Sequence, residues 1–289
     1  MTFQIHEDTQ LGEVKLKVSN IEKSSQFYKE IIGFRILEKK RDSVTLTADG
    51  NKSLLVLKEV PNAVVLPPRS ATGLYHFAIL LPERKDLGNV YEHLLQHNIR
   101  LGSSDHYVSE AIYLSDPDGN GIELYHDRPR DHWLKDEHGN YIMTVDPLNE
   151  NSLLEAGGGE QWERLPENTK IGHIHLHVND LHQSRKFYKD VLGFDTTVEN
   201  DKRMGMLFHG AGGYHHHIGL NIWAGADAPN PPERAVGIAR YTIVLPNEDA
   251  FENVRKNINT YHYQYEIQER SLFITDPAQV NIQLTVKEK

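Results

Sequence analysis

The sequence lacks several features that would place it in a specialised class of protein. It contains no cysteine, which excludes disulfide scaffolds and metal sites built from thiolates. No apolar run approaches the roughly 20 residues that a membrane helix needs, so we expect no membrane partner. Its 31 basic residues are outnumbered by 41 acidic ones, whereas nucleic-acid binding relies on clustered lysine and arginine. These absences leave a small molecule as the expected partner.

The N-terminal segment MTFQIHEDTQLGEV has no basic stretch followed by an apolar core. We therefore predict a cytoplasmic protein without a signal peptide. The composition, 38% hydrophobic and 25% charged, is typical of a globular protein, and 289 residues suffice for two domains that each bury a core. Histidine is unusually abundant, with 17 residues of which several are clustered.

The two halves of the sequence repeat each other. The segment KLKVSNIEKSSQFYKEIIGF, Lys15–Phe34, aligns without gaps on HLHVNDLHQSRKFYKDVLGF, His175–Phe194. In the same register, YLSDPDGNGIEL (Tyr113–Leu124) aligns on FITDPAQVNIQL (Phe273–Leu284). A third pair, YHFAILLP and ARYTIVLP, requires a small insertion between the halves. The chain is therefore a tandem duplication.

The repeat predicts two domains, residues 1–130 and 165–289, joined by a polar linker over residues 131–164. Each half contains the pattern of one strand, one helix and three strands twice, and the first helix of each half begins after a capping Asn20 or Asp180. Strands outnumber helices, and several connections are long. The sequence therefore predicts an α+β fold of curved sheets, built from four βαβββ modules.

Polar residues recur at equivalent strand positions of the modules. They are Glu13, His76 and Glu123 in the first half, and His173, Arg240 and Gln283 in the second. An isolated strand histidine is more often a solvated residue than a ligand, but here a strand face is polar in every copy where an alternating pattern allows apolar residues. This recurrence predicts a concave surface lined by ligand-binding groups.

The segment DHYVSEAIYLSDPDGNGIE resembles a specific motif of the vicinal oxygen chelate superfamily. The motif is that of its extradiol ring-cleaving dioxygenases, the family of the bacterial catechol 2,3-dioxygenases, and it is matched by His106, Ile112, Tyr113, Asp116, Pro117, Gly119 and Glu123. Ser104 departs from the residues usual at its position. The resemblance covers almost the whole chain and implies two tandem domains of the glyoxalase and extradiol dioxygenase type.

The resemblance implies a non-haem Fe(II) held by two histidines and one carboxylate, with Mn(II) as the alternative ion because both suit this ligand set. It assigns Glu123 as the carboxylate and His76 as one histidine. The third ligand is open between His173 of the third module and Glu13 of the first, which would resemble a glyoxalase ligand set. We predict His173, so that modules 2 and 3 pair around the metal and modules 1 and 4 form a metal-free counterpart.

The resemblance also implies residues that bind the substrate and handle its protons. His106 and Tyr113 match the family's hydrogen-bonding pair, and a further histidine is expected within GGYHHHIGLNIW. We predict His217 for that role, with His216 and His215 as alternatives because a strand face cannot be assigned beside a Gly-Gly turn.

His216 and two further residues of this segment, Asn221 and Trp223, are predicted to line the substrate pocket. The implied activity is extradiol cleavage of a catechol by O2 to 2-hydroxymuconate semialdehyde, as in the catabolism of aromatic compounds. Two alternatives remain open: a metal-dependent isomerase or transferase of the glyoxalase or fosfomycin-resistance kind, and a binding protein of the bleomycin-resistance kind. An exposed sheet edge would also support a homo-oligomer.

Overall fold

The structure is a computed structural model that describes residues 3–200 and 203–287. The first half of the chain forms two modules, each with the order strand, helix, three strands. Module 1 comprises β1 (Gln10–Val18), α1 (Ile21–Phe27), β2 (Arg35–Lys39), β3 (Ser43–Thr47) and β4 (Leu55–Glu59). Module 2 comprises β5 (Gly73–Leu80), α2 (Arg84–Gln96), β6 (Gly102–Asp105), β7 (Ser109–Ser115) and β8 (Gly121–Asp127).

The second half repeats this order after the helix α3 (Glu150–Gly157). Module 3 comprises β9 (Lys170–His177), α4 (Leu181–Arg185), β10 (Asp195–Asn200), β11 (Met206–Gly210) and β12 (Ile218–Asn221). Module 4 comprises β13 (Gly237–Leu245), α5 (Glu248–Thr260), β14 (Tyr265–Gln268), β15 (Ser271–Thr275) and β16 (Asn281–Val286). The predicted α+β fold of four βαβββ modules is confirmed.

Local sequence sets the ends of the first helix in each half. The side chains of Asn20 and Asp180 accept hydrogen bonds from backbone N–H groups of the first helical turn, as predicted for caps. Both helices continue into a short π-helical turn before a glycine. Gly33 and Gly193 follow with φ of 98° and 86°, a left-handed conformation that glycine adopts without strain.

The strands form two eight-stranded sheets, and each sheet combines one module from each half. One has the order β14-β15-β16-β13-β1-β4-β3-β2 and contains modules 4 and 1. The other has the order β10-β11-β12-β9-β5-β8-β7-β6 and contains modules 3 and 2. The predicted crossed pairing of modules 2 and 3 is therefore present. Each sheet takes one module from residues 1–130 and one from residues 165–289, so the two halves repeat in sequence but neither forms a sheet of its own.

The predicted linker, residues 131–164, is more ordered than its polar composition indicates. Its helix α3 packs on α2 at a close crossing, where a Cβ on Gly88 would lie 2.3 Å from the carbonyl oxygen of Leu153. Leu153 itself is fully buried. Apolar faces of both sheets pack against the helices in one contiguous core. Within the described residues, no helix is both long enough and apolar enough to span a bilayer.

Candidate active site

Three central strands of the sheet formed by modules 2 and 3 bring the predicted ligands together. Strand β5 lies between β8, to which it is parallel, and β9, to which it is antiparallel. Ala78 on β5 is the register partner of Glu123 on one side and of His173 on the other. His76 lies two residues before Ala78 and shares its face because side chains alternate along a strand.

The three side chains converge on one face of the sheet, above its central strands. The Nε2 atoms of His76 and His173 lie 3.0 and 3.1 Å from the same Glu123 oxygen, Oε2. All three residues are buried. Burial alone would raise the pKa of the Glu123 carboxyl, but the neighbouring His173 and His76 outweigh it and hold that pKa well below its usual range. Glu123 is therefore a carboxylate.

The donor set fits a divalent first-row metal ion. Two imidazole nitrogens and one carboxylate oxygen lie within 4.8 Å of one another, a ligand set that suits iron or manganese. His76 Nε2 is buried and, among the described residues, has no partner in hydrogen-bond geometry. Because an unpaired buried polar atom is costly, a cation at the centre of the cluster would satisfy it.

The alternative ligand Glu13 lies in the other sheet. Its carboxylate accepts a hydrogen bond from Ser53 at 2.5 Å and lies 3.5 Å from Arg240. The structure therefore does not assemble Glu13 with His76 and Glu123, because β1 pairs with β13 rather than with β5. The ligand set that the sequence left open is assembled with His173.

Tyr113 and His106 form a hydrogen-bonded pair beside the cluster. Tyr113 is the register partner of Glu123 across the β7–β8 hairpin, and its hydroxyl lies 2.6 Å from His106 Nε2. His106 Nδ1 donates to the Thr144 carbonyl at 2.5 Å, so Nε2 accepts from the tyrosine. Burial, followed by the charge of Glu123, raises the pKa of Tyr113 well above its usual value and keeps it a phenol.

The consecutive histidines His215, His216 and His217 point in different directions. The His216 ring packs 4.1 Å from the His173 ring and stacks on Phe208 at 4.3 Å, between centroids. The His217 ring instead contacts Tyr214, and its Nδ1 accepts from the backbone N–H of Ala211. The tight turn before β12 produces this order, and it places His216 rather than His217 against His173 of the cluster.

A hydrogen-bond chain fixes the orientation of His216. His215 Nε2 lies 2.8 Å from Asp127 Oδ1, and the Nδ1 atoms of His215 and His216 lie 2.7 Å apart. Because the carboxylate only accepts, His215 donates to it and accepts from His216. His216 Nε2 therefore carries a lone pair. Burial, followed by the charge of His173, lowers the pKa of His216 well below its usual value.

Asn221 and Trp223 extend the site along β12. The Asn221 amide bonds two histidines of β9, with its oxygen 2.6 Å from His177 Nδ1 and its nitrogen 3.0 Å from His175 Nε2. The Trp223 indole packs edge-on against Tyr75 at 5.3 Å. Strand alternation puts His175 and His177 on the face of His173, but the network depends on the pairing of β9 with β12, which alternation does not reveal.

Tyr75 was not predicted at the site. The register of β5 against β9 shifts between Leu74 and His76, so Tyr75 is an extra residue in the strand. Such a bulge redirects a side chain that regular alternation would point to the opposite face. The Tyr75 ring consequently lies 4.9 Å from that of His76.

A cleft of about 1130 Å³ opens onto one side of the cluster. Its walls include His76, Tyr113, Tyr75 and His177. The cleft therefore connects His76 of the cluster and Tyr113 to solvent.

Comparisons with known proteins identify the family of the chain. The model of the Glyoxalase/Bleomycin resistance protein/Dioxygenase superfamily matches residues 10–124 and 170–283. The chain is 54% identical over 274 residues to a catechol-2,3-dioxygenase of Bacillus subtilis (strain 168), covering 95% of this chain and 96% of that protein.

Two solved structures share the fold at low identity. A putative dioxygenase from Bacillus subtilis has a TM-score of 0.68 at 10% identity. The superposition covers 99% of this chain and 87% of the dioxygenase chain. Glyoxalase I from Zea mays has a TM-score of 0.55 at 16% identity, with coverages of 96% and 92%. Because the family model matches most of its length, the chain belongs to the Glyoxalase/Bleomycin resistance protein/Dioxygenase superfamily.

Proposed function

We propose that the chain is an extradiol dioxygenase that cleaves catechols with O2. The observation that carries the proposal is the buried cluster of His76, Glu123 and His173 with the Tyr113 hydroxyl beside it. The 54% identity to a catechol-2,3-dioxygenase supports the same reaction. The proposed product from catechol is 2-hydroxymuconate semialdehyde.

The proposed metal is Fe(II), with Mn(II) as the alternative, held by His76, Glu123 and His173. When bound, it would supply a Lewis acid for the two catechol oxygens and a path for electrons to O2. The protein contributes one negative charge to this centre through Glu123, since the other two ligands are imidazoles.

Tyr113 and His106 would orient the substrate and receive its proton. The Tyr113 hydroxyl donates to His106 Nε2, so the lone pairs of its oxygen remain free to accept from a catechol hydroxyl. When the tyrosine oxygen accepts a proton from the substrate, the tyrosine would pass its own hydroxyl proton to His106 Nε2. The Thr144 carbonyl holds the His106 ring in the tautomer that this relay requires.

We assign the third catalytic role to His216 instead of His217. Its Nε2 is the basic nitrogen, because its Nδ1 donates toward His215. The Phe208 stack and the contact with His173 hold the ring beside the metal ligands. His216 would accept the proton of the second catechol hydroxyl. Asn221 and Trp223 would bound the pocket through their contacts with His175 and Tyr75.

Oxygen uptake by the Fe(II)-loaded protein with catechol, under reducing conditions, tests the proposal. We expect uptake with stoichiometric formation of the ring-opened product. A glyoxalase-like isomerase or a bleomycin-binding protein would consume no oxygen, and neither requires the Tyr113–His106 pair. Bound iron without oxygen consumption for any catechol tested would reject the dioxygenase assignment.

Variants test the ligand set separately from turnover. His173→Ala and Glu123→Gln should lose bound iron, measured by metal analysis after gel filtration. Glu13→Gln should retain it, because Glu13 lies in the other sheet. Iron at full occupancy in the His173 variant would contradict the crossed site.

A further inference from the structure

The sheet of modules 1 and 4 carries a modified copy of the active-site positions. They are Glu13, Arg240, Gln283 and Phe273, which correspond by the repeat to His173, His76, Glu123 and Tyr113 respectively. The correspondence is also structural, since Phe273 and Gln283 are register partners as Tyr113 and Glu123 are. This copy lacks the histidines that a metal ion would need.

Two cations lie at the centre of this copy. Lys15 on β1 and Arg240 on β13 are direct register partners and therefore share a face. The equivalent residues of the other sheet, His175 and His76, are also register partners. Like charges directly opposite each other on adjacent strands are destabilising unless a counter-charge is supplied.

The neighbouring acids compensate this pair only in part. Glu13 Oε1 lies 3.5 Å from Arg240 Nη2, and the two side chains are 25% and 27% exposed. Over residues 3–200 and 203–287, Lys15 Nζ makes no hydrogen bond or ion pair. Burial, followed by the charge of Arg240, lowers the pKa of Lys15. One positive charge of the pair is therefore left without a partner.

Two other lysines near this face already have polar partners. Lys58 forms an ion pair with Asp42. Lys17 donates to the Glu233 carbonyl at 3.1 Å. Among the described residues, Lys15 is thus the member of this group of cations that has no polar partner, although the whole chain has a net charge of −10.

We propose that Lys15, Arg240 and Phe273 form a second binding site, which takes a small carboxylate with an apolar or aromatic body. The guanidinium fork of Arg240 matches the two oxygens of a carboxylate, and Lys15 adds a point charge beside it. The guanidinium carbon lies 5.4 Å from the Phe273 ring centroid, so the ring offers an apolar surface next to the charge. The site is independent of the proposed catechol cleavage.

Isothermal titration of the iron-loaded protein with benzoate tests this site. We expect saturable binding that Arg240→Gln and Lys15→Gln each weaken about ten-fold or more, because each removes a charge-assisted contact. Lys58→Gln, a cation of the same sheet that is already paired, should bind benzoate as the wild type does. Glu13→Gln should bind it more tightly, because the carboxylate that competes for Arg240 is gone.

Benzoate bound at the metal centre would give a different pattern. It would be lost in His173→Ala and kept in Arg240→Gln, and that result would overturn the proposal. No saturable binding of benzoate to the wild type would overturn it as well. Saturable binding of inorganic phosphate without binding of benzoate would reject a carboxylate as the ligand.

Discussion

The three consecutive residues His215, His216 and His217 differ in role because they differ in partners. His217 is held by a backbone N–H group, and burial lowers its pKa to about 3. The His216 ring packs on that of His173, and His215 connects His216 to Asp127. Identical side chains in sequence are thus distinguished by the hydrogen bond that each ring nitrogen makes.

Asp127→Asn should slow turnover while leaving iron bound. The asparagine amide can donate to His215 Nε2, which reverses the donor and acceptor roles along the chain and turns His216 Nε2 into a donor. We expect kcat to fall about 100-fold, the range of general base catalysis. Steady-state oxygen uptake and metal analysis check both parts.

Tyr214→Phe is the matched control for this variant. The Tyr214 hydroxyl also donates to Asp127, at 2.8 Å, but its removal leaves the carboxylate and the direction of the chain intact. Its kcat should therefore fall much less. Equal losses in the two variants would show that Asp127 acts through packing alone.

His209 should make the stability depend on pH. Burial, followed by the charges of Arg185 and Lys189, lowers its pKa to about 3, against about 6.5 in an unfolded chain. Between these values the unfolded state binds a proton that the folded state does not, so acidification destabilises the fold. The free energy of unfolding should fall by about 1.4 kcal/mol per pH unit below 6.5 from this residue.

Urea unfolding of the wild type and His209→Phe at pH 7.5, 6.5 and 5.5 measures this contribution. Phenylalanine keeps a ring against Tyr188, on which His209 stacks, and cannot titrate. The advantage of the wild type over the variant should shrink as the pH falls from 6.5 to 5.5. A constant difference over all three pH values would refute the assignment.

At the scale of elements, small residues on the strands make room for the aromatic groups of the site. A Cβ on Gly172 of β9 would lie 1.7 Å from the Tyr125 hydroxyl oxygen, and one on Gly219 of β12 would lie 2.8 Å from the His175 ring. Tyr125 in turn packs on His173 at 4.9 Å between ring centroids. Because these glycines have no side chain, the large rings of Tyr125 and His175 can lie over the neighbouring strands.

Gly172→Ala should therefore disturb both stability and the metal site. The added methyl group displaces the buried Tyr125 ring, and overpacking of this kind costs about 1 to 3 kcal/mol. Gly102→Ala is the control, because the nearest atom to its Cβ would be 3.7 Å away. The free energy of unfolding, measured with denaturant, and the iron occupancy should both fall in Gly172→Ala. Both should hardly change in Gly102→Ala. Unchanged stability and occupancy in Gly172→Ala would exclude this role for the glycine.

At the scale of the whole molecule, the proposed metal site joins the two halves of the sequence. His76 and Glu123 come from the second module and His173 from the third, and β5 and β9 are adjacent strands. A ligand that binds the folded state alone stabilises it, by about 2.7 kcal/mol when present at 100 times its dissociation constant.

Fe(II) at that excess should raise the thermal midpoint by roughly 5 °C under anaerobic conditions. His173→Ala should abolish the increase and Glu13→Gln should keep it, because the two residues lie in different sheets. Differential scanning calorimetry measures the shift. An equal increase in both variants would place the metal elsewhere.

The sequence by itself determined the four modules and the pairing that the metal site requires. Strand alternation and the repeat depend on local spacing, and they placed Glu13, His76, Glu123 and His173 at equivalent strand positions. The resemblance to extradiol dioxygenases then favoured His173 over Glu13, and with it the pairing of modules 2 and 3. The Tyr113 and Glu123 partnership followed in the same way from one hairpin.

Only the tertiary structure decided which histidine of the triple packs against His173, and that Tyr75 and Asp127 contact the residues of the proposed site. The turn before β12 selects His216, the bulge in β5 redirects Tyr75, and Asp127 bonds His215 in a turn of the other half of the chain. These features depend on backbone irregularities and on contacts between residues far apart in sequence. Periodicity carries no information about either, because it assumes regular strands and records only neighbours along the chain.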